Sequence, residues 1–260
     1  MGQEQSQQEQ QDSVFFYTVA SGKDGKDVLE EAESKDHYRQ LCSRSVTNAY
    51  SRRSDTYQSN SMSEDQEDSL LVLLESYRPR LPYRLKDIQA TIVPLMPSAD
   101  GGMPHTRPDD VICVPLSSHP ISLETFTHEL WHLHQRAFYS EWLRFFEEHW
   151  HFKRYTGDIP TNLQSALRIN PDTMKDPLWI WQDKWVPLCV FLNPVSPSLG
   201  ATAVWFYNTK TGIHHQQRPP EMAAFFSKQL PSVAYEHPCE LAAYINNQCP
   251  AYQAFQKVWL

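Results

Sequence analysis

The chain has 260 residues, 40% of them apolar, and a formal net charge of −8, which is enough to bury a sizeable core in one large domain or two small ones. That charge argues against a nucleic-acid binder, which needs a basic face to meet phosphates, and against a polybasic membrane patch. The cysteines Cys42, Cys113, Cys189, Cys239 and Cys249 lie far apart with no C-x-x-C pair, so neither a disulfide framework nor a thiolate zinc knuckle is indicated, and unpaired thiols fit a reducing, cytoplasmic compartment.

Residues 1–13 are Gln/Glu-rich without aromatics and read as a disordered tail. They lack the basic and apolar regions of a secretory leader. Met1-Gly2 followed by Ser6 matches the N-myristoylation pattern, and a single acyl chain at Gly2 would hold a membrane only weakly. A strand is expected at 14–20, a loosely helical stretch at 27–50 and a mobile polar loop at 51–69; together 14–68 form an N-terminal segment. The main domain is expected over 69–260. It opens with a short helix at 69–78, ended by Pro79 and Pro82. The β-branched runs at 88–96 and 110–116 read as strands, with the turn-rich GGMPHTRPDD between them. From Ile121 to Thr156 there is no Gly or Pro, so one or two long helices are expected, with Ser122 as N-cap. Strands follow at 185–192 and 201–208, with a hairpin turn at NTKTG, then helices at 219–230 and 238–247. No run is long and apolar enough to span a membrane. The order of elements argues α+β rather than a regular βαβ alternation.

Within the long helical segment stands THELWHLH, residues 127–134. Residues four apart share one helix face, so His128 and His132 project side by side and can share one metal ion. Glu129 lies about 100° around the helix, close enough to reach a metal-bound water without being a ligand. Zinc lowers the pKa of such a water to about 7, and a carboxylate can take its proton during attack on a carbonyl and return it to the leaving amine. The competing reading is a core helix with a hydrogen-bonded histidine pair. The uncharged flanks Thr125, Phe126, Leu130, Trp131 and Leu133 make the stretch resemble the zincin metallopeptidases. His134 departs from that pattern. It lies about 240° around the helix from His128 and cannot bind the same ion.

The third ligand is less direct. Gln135 and Phe138 stand where a metzincin would carry Gly and His. Glu147, Glu148, His149 and His151 would sit roughly 22 Å or more along an unbroken helix from His132, and only a break near Ser140 would bring them back. Cys113 is an upstream thiol, as in peptide deformylases, but without their surrounding sequence. Glu240 is the leading choice. Pro238 opens its helix, and a carboxylate in a first turn is favoured by the helix dipole. Glu240 and Ala243 resemble the glutamate helix of gluzincin-type enzymes, where a small residue permits close packing on the H-E-x-x-H helix. Glu236 and His237 are alternatives. An oxyanion donor could come from Tyr244, Tyr235, His237, His214, His215 or Arg218.

The resemblance implies an α+β, zincin-like fold. In it a mixed or antiparallel sheet packs on the long H-E-x-x-H helix, and a C-terminal helix bears the glutamate. It also implies that the strand before that helix is a sheet edge that pairs with extended substrate; 110–116, or the GGMPHTR stretch before it, would hold that place. The expected activity is zinc-dependent peptide-bond hydrolysis of a peptide or protein, with one Zn2+ held by His128, His132 and Glu240 and with Glu129 as base and then acid. The alternatives are a zinc amidohydrolase acting on a non-peptide amide, and a non-catalytic zincin-like binding or structural protein. Glu129 beside the first histidine, with no evident fourth ligand, favours an open catalytic site.

Overall fold

A computed structural model describes residues 16–40, 57–116, 120–245 and 249–260. The tail at 1–13, Gly2, the first residues of the 14–20 strand and residues 41–56 lie outside these. The described residues fold as mixed α/β with two separate sheets rather than the single sheet expected. No helix among the described residues is long and apolar enough to cross a membrane.

The first sheet has the order β1 (Tyr17–Val19), β2 (Ala90–Leu95), β4 (Val111–Pro115), β3 (His105–Arg107). The β1–β2 and β2–β4 pairs are parallel and β3–β4 is antiparallel. Both central strands are almost wholly buried, as parallel strands covered on two faces must be. The two-residue period divides their side chains. Ile92, Ile112 and Val114 join the larger core with Phe126 and Leu130, while Val93, Leu95, Val111 and Cys113 pack with Leu29 on the opposite face. Leu29 belongs to α1 (Gly22–Asp36), which starts five residues before the helical stretch read from the sequence. Gly25 permits this approach: a Cβ there would stand 2.4 Å from the Ala20 carbonyl oxygen.

The polar stretch 51–69 is not a loop to its end. α2 spans Glu64–Tyr77, and Ser63 and Gln66 cap its N-terminus reciprocally. That capping box satisfies two otherwise orphaned N–H groups and places the start five residues before Ser69. The long segment after Ser122 is two helices, α3 (Leu123–Ala137) and α4 (Tyr139–Trp150), broken at Phe138 (φ −110°, ψ 38°).

The second sheet is an antiparallel meander of β5 (Phe152–Arg154), β6 (Trp179–Trp181), β7 (Trp185–Phe191), β8 (Thr202–Asn208) and β9 (His214–His215). The short helix α5 (Thr161–Gln164) packs its Leu163 with Val186, Leu188 and Val190 of β7. Gly212 (φ +73°) makes the turn into β9. Three helices close the fold, α6 (Pro220–Phe226), α7 (Pro238–Tyr244) and α8 (Pro250–Trp259), each with proline at its first position. An aromatic layer joins α3, α4 and α8. In it Trp142 and Trp259 stack at 4.1 Å, and Trp131 meets Phe255 edge-on.

Candidate metal centre

The Ser122 hydroxyl caps α3 by accepting from Thr125 N–H at 3.1 Å. Two turns later the helix presents His128 and His132 on one face, with ring centroids 4.7 Å apart and Nε2 atoms 3.0 Å apart. α7 packs across α3 and delivers Glu240 from its first turn. One Glu240 oxygen lies 3.4 Å from His128 Nε2 and the other 3.5 Å from His132 Nε2. One ligand atom from each residue falls within 4.8 Å of the others. Ligands bound about 2.1 Å from a tetrahedral zinc ion stand roughly 3.4 Å apart, so these spacings suit a small cation.

Polar contacts behind His132 and Glu240 orient them. Gln135 Nε2 donates to the Cys239 carbonyl at 3.0 Å, which turns its Oε1 toward His132 Nδ1 at 2.9 Å. His132 Nδ1–H therefore donates to that oxygen, leaving the Nε2 lone pair facing His128 and Glu240. Fixing the imidazole tautomer through its second nitrogen is characteristic of metal-binding histidines. The same glutamine ties the two ligand-bearing helices together. Asn170 Nδ2 donates to Glu240 Oε1 at 2.8 Å and to Glu236 Oε1 at 2.7 Å, and Arg168 also donates to Glu236 Oε1.

The electrostatics favour positive charge between these groups. Burial opposes ionisation of Glu240, but His132, His128 and Arg168 hold its carboxyl well below the ordinary range. Burial likewise opposes charge on His128, yet the Glu240 carboxylate raises it to about 9. A field that favours a proton here favours a metal cation for the same reason.

Glu129 is buried beside the pair, and its Oε2 has no hydrogen-bond partner. Burial first, then the Asp172 and Glu240 carboxylates, push its carboxyl well above the ordinary range, with His128 opposing. His128, Glu129 and Glu240 line one cleft of about 990 Å³. Its lining is mixed: Arg168, Asn170 and Asp172 are polar, while Leu199, Leu230, Val233, Tyr244 and Phe255 contribute apolar surface.

Of the expected oxyanion donors, Tyr244 lies in the cleft, its ring edge-on to His128 at 4.5 Å. Burial raises its phenol to about 12, so it stays a donor at neutral pH. His237 is not available, because Nδ1 accepts from Cys239 N–H and Nε2 meets the Asp176 carbonyl. Tyr235 is likewise spent: its hydroxyl donates to the Ser227 carbonyl. Arg218 covers the Tyr235 ring and holds the carbonyls of Ser227, Lys228 and Leu230. His214 and His215 sit on β9 against Trp205 and Trp185.

The other third-ligand choices do not join the three clustered ligand atoms. The break at Phe138 does not return Glu147, Glu148, His149 and His151 to the site; all four are exposed on or just after α4. Cys113 lies on the sheet face turned to α1, beside Tyr57. Glu236 is held by Arg168 and Asn170. Residues 110–116 supply an interior strand, β4, and the edge strand next to it is β3, within GGMPHTR.

Gln135, Asn170 and Asp172 were not singled out from the sequence. Gln135 carries a usable signal, because it stands three residues after His132 on the same helix face. Comparisons with family models, curated proteins and solved structures return no match, so any functional reading rests on the geometry of this centre.

Proposed function

We propose that the chain is a zinc-dependent hydrolase of peptide or other amide bonds. His128, His132 and Glu240 would hold the ion, and Glu129 would move the proton. The observation that carries this reading is the convergence of the three ligand atoms with a buried, unpartnered carboxylate in one cleft. The donor set of two imidazole nitrogens and a carboxylate suits zinc, and the absence of a fourth protein ligand among the described residues leaves a coordination position for water or substrate. When bound, zinc supplies Lewis-acid polarisation of a carbonyl and water acidified to a pKa of about 7.

Each residue then has a defined task. Glu129 takes the proton of the attacking water and delivers it to the departing nitrogen. Tyr244, a neutral phenol in the cleft, donates to the oxygen on which negative charge develops. Gln135 keeps His132 in the tautomer that ligates, and Asn170 holds Glu240 in place.

Elemental mass spectrometry should find near one zinc per chain in the wild type and a clear loss in Glu240→Ala. Glu129→Gln should keep its zinc and lose hydrolysis of a peptide library by about 10²–10⁴-fold. Zinc bound equally by wild type and Glu240→Ala would move the third ligand elsewhere. Retained activity in Glu129→Gln would remove the proton-transfer role.

A further inference from the structure

β3 is the sheet edge beside α3, and it offers no free outward N–H. In an antiparallel pair, successive residues turn their N–H and C=O alternately toward the neighbour and away from it. Thr106, opposite Ile112, is an outward residue. Its N–H donates to Asp172 Oδ1 at 2.7 Å, and its carbonyl accepts from Arg136 at 3.2 Å. Both partners are fixed. Asp172 Oδ1 also accepts from the Thr106 hydroxyl at 2.6 Å, and Arg136 also donates to the Pro171 carbonyl at 2.8 Å. The remaining outward positions, 104 and 108, are both proline and have no N–H. Along Pro104-His105-Thr106-Arg107-Pro108 no outward N–H is free, and the turn at Pro171–Thr173 lies along the edge.

A polypeptide that binds as an added strand needs those donors. We propose that this cleft takes a short amide with a bulky apolar side chain beside the scissile bond, and that it does not lay extended polypeptide along its sheet. This rests on the hydrolase reading above. The cleft of about 990 Å³ is at the top of the roughly 300–1,000 Å³ typical of sites that enclose small molecules. The apolar preference comes from Leu199, Leu230, Val233 and Phe255, which line the same cleft. Val233 is 41% exposed, and a ligand's apolar group that covers it takes the surface of both out of water.

The test uses the zinc-loaded full chain and hydroxamates, which bind metal directly. Glycine and leucine hydroxamates are compared by calorimetry with tri- and hexapeptide hydroxamates ending in the same leucine. A matched series is extended on the amine side through a succinyl hydroxamate. The expected result is leucine hydroxamate binding about tenfold or more tighter than glycine hydroxamate, with little further gain along either series. Affinity that climbs about tenfold or more from leucine hydroxamate to a hexapeptide, as new main-chain hydrogen bonds would produce, overturns the proposal and leaves the metal site standing. Equal binding of the glycine and leucine compounds overturns the apolar preference. Zinc bound but no hydroxamate bound overturns the open metal site itself, and the proposal with it.

Discussion

His132 and His134 are two residues apart on α3 and face opposite regions of the molecule. His132 turns toward the candidate metal centre, where Gln135 fixes one nitrogen and Glu240 and His128 stand near the other. His134 looks into the aromatic layer. There the Trp142 indole N–H donates to its Nδ1 at 3.0 Å, and the rings of Trp131, Phe138 and Trp259 surround it. An indole N–H is only a donor, so His134 must be neutral with Nδ1 unprotonated. Burial, with Arg84 adding repulsion, lowers its pKa to about 4. On the other face, the Glu240 carboxylate overcomes burial and raises His128 to about 9. Residue type is the same on both faces, and the neighbouring groups decide between packing and chemistry.

The largest test of this division is Trp142→Ala. It removes the stack on Trp259 and the donor to His134, and should cost about 3–5 kcal/mol, a fall of roughly 10 °C in Tm for a chain of this size. The folded fraction should still bind zinc with unchanged stoichiometry. Loss of zinc from well-folded Trp142→Ala would show that the two faces act as one unit. Acid provides the next test. The unfolded chain protonates His134 near pH 6.5 while the native chain resists until about pH 4. The stabilisation is therefore complete above 6.5 and is lost as pH falls toward 4, by about 2–3 kcal/mol. Denaturant titrations across that window should be steeper in pH for the wild type than for His134→Gln, and parallel curves would remove the role assigned to burial. The smallest effect belongs to Gln135→Ala. It frees the His132 tautomer and should weaken zinc about 10–100-fold in a chelator competition while the fold persists. Unchanged affinity would reduce Gln135 to a link between helices.

How much of this was legible in the sequence follows from how local each signal is. The histidine pair was readable because helical spacing alone puts two residues four apart on one face. Glu240 was readable through Pro238 and the dipole preference of a first turn, although 104 residues separate Gln135 from its bond at Cys239 and nothing local specifies that contact. The capping box at Ser63 and Gln66 is local too, but it lies inside a polar run whose composition reads as loop. The break at Phe138 has no Gly or Pro to announce it, and the His134 and Phe138 rings pack 4.5 Å apart at the bend. β3, β5, β6 and β9 span two or three residues each, too short for a period to register. The parallel pairing of β1 with β2 and the closing of the β3 edge by Asp172 and Arg136 are set by tertiary packing, which a single sequence does not display.

The distance between Gln135 and Cys239 along the chain also sets an order of events during synthesis. A ribosome adding about 5–20 residues per second makes the histidine pair roughly 5–20 s before the segment that carries Glu240. In that interval the emerging chain offers two imidazoles and no carboxylate from α7. On the zinc reading proposed above, metal loading would wait until the C-terminal helices have docked, and a nascent chain stalled before them would lack the carboxylate of the three-residue cluster.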